Sequence, residues 1–202
     1  SSLGDVAISV PLIRCFLSKY PEISITFVTK KIFTPLLYEF KDLDILEFDQ
    51  NGRHKGFKGI FALYKEIKEL NPTGIVDFHG SLRTNILRFF FFFSSIRFKK
   101  INKGRIEKKA LTRKNNKILV PLTPTIHRYG DVLRKIGFPI DLSDHEFPLK
   151  FIPPKKFNDS FFNSKLKWIG IAPFAKHEGK IYPLDLTQKL ISYLQRDHQV
   201  FL

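Results

Sequence analysis

The sequence predicts an α/β protein in which parallel strands alternate with helices. Short β-branched runs, such as ISITFVT at residues 23–29, alternate with segments whose apolar residues recur at three- and four-residue spacings. The run GIVDFHG at residues 74–80 is apolar almost throughout and ends in glycine, as is typical of a buried parallel strand. Strands and helices that alternate at this spacing imply right-handed βαβ units and an open sheet covered on both faces.

The first part of the chain is predicted to contain two long helices, two strands and a short helical piece. Val6, Val10, Ile13 and Phe16 place an apolar face on the first helix, which we expect to end before Pro21. The elements that follow are a strand at 23–29, a short helical piece at 33–40, a strand at 44–48 and a helix at 57–70.

The middle of the chain continues the alternation up to a proline-rich segment. After the strand at 74–80, Ser81 is the expected N-cap of the next helix, and IRFKK at residues 96–100 reads as another strand. Residues 99–117 carry many charges with little periodicity and are expected to be a solvated excursion. A helix is predicted at 125–136.

A proline-rich segment, followed by a second strand–helix pattern, divides the chain into two predicted domains. Residues 1–137 are predicted to form one domain, residues 138–166 an interdomain linker, and residues 167–202 the beginning of a second α/β domain. The last part contains the strand KWIGIAPF, the amphipathic helix LDLTQKLISYLQRD and the strand HQVFL. Because methionine is absent and a βαβ unit needs a strand before its helix, we expect this chain to be a fragment.

The composition limits the classes of function. With 34 Lys and Arg against 19 Asp and Glu, the net charge is +15, which favours nucleic acid, an anionic membrane surface or a phosphorylated substrate as partner. Compositional drift towards Lys and Phe explains the same numbers. A single cysteine, Cys15, excludes an internal disulfide or a cysteine-based zinc site, and we expect it to be buried. No apolar run approaches the ~18 residues of a membrane-spanning helix, and the cytoplasm is the expected location.

The opening SSLGD raises two alternatives for Asp5. Its carboxylate can cap the first helix by accepting backbone N–H bonds. It can also accept a proton from a substrate hydroxyl, because this turn lies at the sheet edge where open α/β sheets bind their ligands.

Further candidate residues follow other predicted strands. His79 lies at the same sheet edge, where it can bind a hydroxyl or simply bond to backbone, and Asp77 before it can orient its neighbours. Arg83 falls in the first turn of a helix, an unfavourable place for a cation unless an anion binds there. Lys176 and Lys180 occupy a strand-to-helix loop, where a lysine can stabilise a diphosphate leaving group. The dinucleotide-binding and P-loop glycine motifs and the HExxH and HxxxH metal spacings are absent.

Four segments in order resemble the family 9 glycosyltransferases, the heptosyltransferases that build the inner core of lipopolysaccharide. They are SSLGDV, VDFHGSLRTNIL, HRYGDVLRKIGFP and IGIAPFAKHEGKIYPLDLTQKLISYL. They occur in the same order as in the family and span residues 1–194. The sequence departs from the family at Tyr182, where tryptophan is usual, and at residues 174–176.

The resemblance implies a GT-B fold of two Rossmann-like domains, the second one truncated here, with the active site in the cleft between them. Transfer is inverting, with no metal ion and no cofactor apart from a nucleotide sugar such as ADP-heptose as donor substrate. Asp5 matches the catalytic base and Lys180 the lysine on the donor diphosphate, to which we add Lys176. Gly4, His79, Gly80 and Arg83 are assigned to the acceptor.

The implied partners are the nucleotide sugar, a lipopolysaccharide core acceptor and the inner face of the cytoplasmic membrane. The loop NGRHKGFKG and residues 97–117 are candidates for contacting anionic groups. The family's remaining donor motifs would follow Leu202, so this piece alone is not expected to catalyse transfer. Two alternatives stay open: a basic nucleic-acid-binding module, although RNP-like strands, zinc spacing and a helix-turn-helix are lacking, and an inactive sugar-binding relative.

Overall fold

The computed structural model describes residues 2–143, 166–175 and 177–202, which divide into two compact units, Ser1–Pro148 and Leu149–Leu202. The predicted α/β class is confirmed, since helices and parallel strands alternate in both units. Residues 144–165, which make up most of the predicted linker, lie outside the described residues, and the predicted domain boundaries stay a prediction.

The first unit contains most of the described elements. Its helices and strands, in chain order, are α1 (Leu3–Lys19), β1 (Ile25–Thr29), β2 (Leu43–Glu47), α2 (Gly56–Glu69), β3 (Gly74–Asp77), α3 (Leu82–Phe90), β4 (Arg97–Lys100), α4 (Arg105–Thr112) and α5 (Thr125–Ile136). A 3₁₀ helix, Lys31–Leu37, takes the place of the short helical piece predicted at 33–40.

The second unit repeats the same alternation on a smaller scale. It contains β5 (Lys167–Gly170), a 3₁₀ turn (Glu178–Lys180), α6 (Leu184–Leu194) and β6 (His198–Phe201). Trp168 of β5 and Phe201 of β6 meet edge to face, with 5.9 Å between ring centroids. Both predicted strands and the predicted helix of this segment are therefore present.

The described strands pair two by two, and every pair is parallel. Strand β1 pairs with β2, β3 with β4, and β5 with β6. The single open sheet predicted from the sequence differs from this, because hydrogen bonds between the described strands do not link β1 to β3. Ile25 of β1 and Val76 of β3 nevertheless pack against one apolar cluster, which consists of Leu12, Phe16, Ile101, Tyr129, Val132 and Leu133.

The predicted apolar face of α1 is the one that is buried. Val6, Ile13 and Phe16 are nearly inaccessible to solvent, and Cys15 is buried beside them as expected. The helix ends at Lys19, two residues before Pro21. Sequence periodicity therefore located this element and its inward side correctly.

The basic stretch 99–117 is only partly the irregular excursion that its sequence suggested. It contains α4, which begins after Gly104 in the left-handed region (φ 60°), has Glu107 in its first turn and buries none of its residues. Most of the stretch is solvent-accessible, as predicted, but Ile101 and Gly104 are buried. Its helix is difficult to predict because an exposed helix needs no apolar period.

No helix in the part of the chain that the structure describes combines the length and the apolar character needed to cross a membrane.

Candidate active site

A tight turn after β3 presents His79. The buried Asp77 carboxylate accepts hydrogen bonds through Oδ1 from the backbone N–H groups of His79 (2.8 Å) and Gly80 (2.9 Å). Gly80 has φ 53°, and a Cβ there would come within 3.1 Å of Ile101 and 3.3 Å of Lys103. Glycine is needed at this position for both reasons.

The helix that follows the turn is capped as the sequence predicts. The Ser81 hydroxyl accepts the backbone N–H of Thr84 at 3.2 Å, and the Thr84 hydroxyl accepts that of Ser81 at 2.8 Å. This reciprocal capping box fixes the start of α3 at Leu82, two residues after Gly80. His79 is thus held between the turn that is bonded to Asp77 and the capping box at the start of α3.

Asp5 belongs to a second capping box, at the start of α1. Its Oδ2 accepts the backbone N–H of Ser2 at 2.9 Å, while its own N–H donates to the Ser2 hydroxyl at 3.3 Å. The capping alternative for Asp5 is therefore realised in the structure.

Asp5 and His79 also meet each other. The Oδ2 atom of Asp5 lies 3.3 Å from Nδ1 of His79, and their side chains are 35% and 41% exposed. The capping contacts thus coexist with an accessible acid–imidazole pair at the end of β3. The two residues, predicted separately from SSLGD and VDFHG, form one cluster.

The surroundings favour an ionised Asp5 beside a neutral His79. Partial burial raises the pKa of Asp5, but hydrogen bonds from Ser2 and the proximity of His79 outweigh it, so the pKa lies below its usual value. Partial burial also lowers the pKa of His79, and the nearby Lys103 ammonium acts in the same direction, whereas Asp5 opposes them. In the neutral tautomer with a proton on Nδ1, His79 donates to Asp5.

Tyr129 of α5 lies behind this pair and was not among the residues predicted from the sequence. It is buried, and its ring stacks on Phe78 with 4.5 Å between centroids. Burial and the charges of Asp5 and Asp77 raise the pKa of Tyr129 to about 12, so its hydroxyl stays protonated. The helix period alone places Tyr129 inward, but its nearness to Asp5 depends on packing between distant segments.

Two further features escaped sequence reasoning. Lys103, grouped with the solvated basic stretch, lies beside Gly80 and acts on His79. The Oδ2 atom of Asp77 is buried and has no hydrogen-bond partner among the described residues. A buried acceptor of this kind keeps negative potential behind the turn that carries His79.

Arg83 and Gly4 occupy the rim of this region. The Arg83 guanidinium lies over the Phe48 ring, 4.9 Å from its centroid, so a cation–π contact provides one partner for a cation at a helix N-terminus. Gly4 is exposed beside Asp5, and apart from its chain neighbours and the backbone of its own helix no described atom lies within 4 Å of the position a Cβ would take. Gly4 therefore leaves open space on the solvent side of α1.

The lysines predicted to bind the donor lie in the second unit. Lys180 is exposed at the end of the 3₁₀ turn that precedes α6. Lys176 falls outside the described residues. Within residues 2–143, 166–175 and 177–202, no group of three His, Cys, Asp or Glu side chains is arranged to hold a metal ion.

Comparison with known proteins defines the fold class. The sequence matches no protein-family model and no curated protein at a significant level. Among solved structures, the fold is that of family 9 glycosyltransferases.

Two such structures cover 99% of this chain. The glycosyl transferase family 9 protein from Veillonella parvula DSM 2008 superposes with a TM-score of 0.71 at 18% identity, and the heptosyltransferase WaaC from E. coli, solved with ADP, with a TM-score of 0.60 at 14% identity. The chain spans 59% and 64% of the lengths of these two proteins. At these identities the comparison confirms the predicted resemblance at the level of the fold.

Proposed function

We propose that this chain is part of an inverting glycosyltransferase that moves a heptose or a related sugar from a nucleotide sugar to a lipopolysaccharide core acceptor. The observation that carries the proposal is the Asp5–His79 pair, 3.3 Å apart and accessible at the end of β3, in a chain with the fold of family 9 glycosyltransferases. In a GT-B arrangement, residues 1–137 would bind the acceptor and residues 167–202 would begin the nucleotide-sugar domain.

The proposed reaction uses Asp5 as its base. Both observed contacts of the Asp5 carboxylate fall on Oδ2, so Oδ1 is the oxygen that an acceptor hydroxyl would approach. As that hydroxyl oxygen bonds to the anomeric carbon of the donor, its proton passes to Asp5 and the bond from the anomeric carbon to the diphosphate breaks. Attack from the face opposite the diphosphate inverts the configuration.

The cations of the chain have distinct roles in this proposal. Lys180 and Lys176 stabilise the negative charge that develops on the departing nucleoside diphosphate. Arg83 and Lys103 face the carboxylates and phosphates of an inner-core acceptor, close to Gly80 and His79. Neither a metal ion nor an organic cofactor is required, since lysine cations supply the electrostatic stabilisation.

In this proposal His79 contacts both the base, Asp5, and the acceptor sugar. Its Nδ1–H donates to Asp5 and restrains the carboxylate, while its second ring nitrogen is available to accept a hydrogen bond from the acceptor sugar. Gly4 leaves room for the sugar ring beside Asp5, and Gly80 allows the tight turn that presents His79. A buried Tyr129 excludes water from behind the pair.

A transfer assay with a panel of donors tests this function. The full-length protein is incubated with a truncated lipopolysaccharide core and with ADP-heptose or other nucleotide sugars, and the product is isolated for NMR of its new anomeric centre. We expect transfer from one donor of the panel with inversion of configuration. Failure with every donor, or a product with retained configuration, would contradict the proposal.

A further inference from the structure

An aromatic surface extends over α2 and α3 on the first unit. We define it by Phe57, Phe61, Phe89, Phe92 and Phe93, whose exposed fractions are 65%, 42%, 66%, 71% and 87%. Three exposed phenylalanines on the neighbouring helices α2 and α3 and two in the turn after α3 exceed the scattered apolar residues of an ordinary protein surface.

The core does not need these rings. Within the run FFFFF at residues 89–93, Phe91 is buried to 2% exposure and packs edge to face on Tyr64 at 4.8 Å. Phe89, in the last turn of α3, and Phe92 and Phe93, in the turn that follows it, are exposed. Their large apolar area therefore contributes little to folding.

The rings form two groups of side chains in mutual contact, one around Phe90 and one of Phe92 with Phe93. Phe90 lies at the centre of the first group, with ring centroids 5.6 Å from Phe57, 5.5 Å from Phe61 and 6.4 Å from Phe89. Phe92 and Phe93 meet edge to face at 5.1 Å beyond the end of α3. A flat apolar partner could contact both helices at once.

Positive charge accompanies the aromatic surface. Between Phe78 and Ile106 the sequence has no Asp or Glu, and its basic residues are Arg83, Arg88, Arg97, Lys99, Lys100, Lys103 and Arg105. On α2, the ammonium of Lys65 lies 5.1 Å from the centroid of Phe61 and that of Lys68 lies 5.9 Å from Tyr64. Apolar rings alternate here with cations that can reach anionic headgroups.

We propose that the aromatic surface docks on an anionic lipid bilayer, with the exposed rings among the acyl chains and the neighbouring lysines and arginines on lipid phosphates. Phenylalanine has no hydrogen-bonding group, so the apolar boundary of a bilayer suits the rings. The basic residues, which outnumber the acidic residues Glu66 and Glu69 of α2, suit anionic headgroups. This places the membrane contact on α2 and α3 rather than on the basic loops alone. The argument uses surface chemistry only and does not depend on the proposed transferase activity.

Vesicle flotation with the full-length protein tests this proposal. Vesicles containing phosphatidylglycerol are compared with vesicles of phosphatidylcholine alone, for the wild type and for a Phe92→Ser, Phe93→Ser double variant. Ile32→Ser is the matched control, because Ile32 is 75% exposed but lies outside the aromatic surface. We expect the double variant to bind the anionic vesicles about tenfold or more weakly, since two phenylalanines lose their burial, and the control to bind like the wild type.

Charge variants and the oligomeric state complete the test. Lys65→Gln and Arg88→Gln should weaken binding to anionic vesicles, and added salt should do the same. Equal binding of the wild type and the double variant, or equal binding to both vesicle types, would overturn the proposal. The proposal would also be overturned if the wild type did not bind vesicles but formed a dimer that the double variant disrupts. The same holds if the wild type did not bind vesicles but bound a single-stranded RNA oligonucleotide and the double variant did not. An unchanged circular dichroism spectrum and melting temperature would show that the double variant is folded.

Discussion

Asp5 illustrates what can be predicted about a single residue. Its position in SSLGD allowed two alternatives, a helix cap or a base, and the structure contains both the capping box with Ser2 and the contact with His79. Local spacing was sufficient to predict the cap. The contact with His79 depends on how α1 packs beside the end of β3, and this does not follow from spacing along the chain.

The pKa of His79 should report its contact with Asp5. Burial and Lys103 lower this pKa below 6.5, while Asp5 raises it. In an Asp5→Asn variant the favourable partner of the imidazolium is lost, so we expect the pKa of His79 to fall further. NMR titration of the imidazole protons in wild type and variant measures this change.

Asp131→Asn is the control for that titration, since Asp131 pairs with Arg134 on the surface of α5. It should leave the pKa of His79 as in the wild type. A pKa that rises or stays constant in Asp5→Asn would show that the two side chains do not interact in solution.

Gly4 offers a test of the acceptor site that separates activity from stability. Alanine favours a helix over glycine by up to about 1 kcal/mol, and space is open at this position, so Gly4→Ala should not lower the free energy of unfolding. We expect it to raise KM for the acceptor, because the new methyl group occupies the space beside Asp5. Urea unfolding and steady-state kinetics measure the two effects, and an unchanged KM would remove Gly4 from the acceptor site.

At the scale of elements, the loop NGRHKGFKG is more buried than its basic sequence suggests, and its predicted contact with anionic groups stays a prediction. His54 is fully buried: its Nδ1 accepts the Asp49 backbone N–H at 3.0 Å, its Nε2 lies 3.2 Å from Glu66, and its ring stacks on Phe48. Asp49 in turn accepts backbone N–H bonds from Asn51 and Gly52. These hydrogen bonds and the buried His54 ring fix the loop that leads into α2. The basic loop is therefore not solvated throughout.

This packing makes Gly59 of α2 sensitive to substitution. A Cβ at Gly59 would lie 2.2 Å from the backbone carbon of His54, which cannot be accommodated without moving the loop. We expect Gly59→Ala to lower the free energy of unfolding by about 1–3 kcal/mol, although alanine is the better helix former. Gly4→Ala in α1 is the matched control in urea unfolding, and equal stability of the two variants would contradict the close contact.

Predictions of helices and strands succeeded where local signals were strong. The helix at 125–136 has its predicted bounds, and Gly137 with φ 107° terminates it. Helix α4 was missed because it has only eight residues, too few to show a clear apolar period, and buries none of them. Strand positions were predicted well, but their pairing two by two was not, since pairing joins residues that are distant in the chain.

At the scale of the whole molecule, the alternation of elements was enough to predict the α/β class, and the order of four motifs was enough to indicate a family whose fold two solved structures confirm. The same signals do not identify the nucleotide sugar or the acceptor. These depend on the chemistry of side chains around the donor, and Lys180 in the second unit is the described residue that we assign to it.

Metal independence is a prediction for the whole proposed enzyme. If lysines stabilise the departing diphosphate, removal of divalent ions should leave the rate of transfer within about twofold of the untreated value. Transfer is measured before and after incubation with EDTA, and again after addition of Mg²⁺. A large loss that Mg²⁺ restores would show that a metal ion, rather than Lys180 and Lys176, supports the leaving group.

The most direct measurement is kcat for sugar transfer by the full-length protein, compared between wild type, Asp5→Asn and Asp131→Asn. Asparagine keeps the size of the side chain and can still accept the Ser2 N–H, but it cannot take up the acceptor proton. We predict that kcat falls roughly 10²–10⁴-fold in Asp5→Asn, with unfolding behaviour close to that of the wild type, and is unchanged in Asp131→Asn. Wild-type kcat in a folded Asp5→Asn variant would contradict the account, because Asp5 would then be a helix cap without a catalytic role.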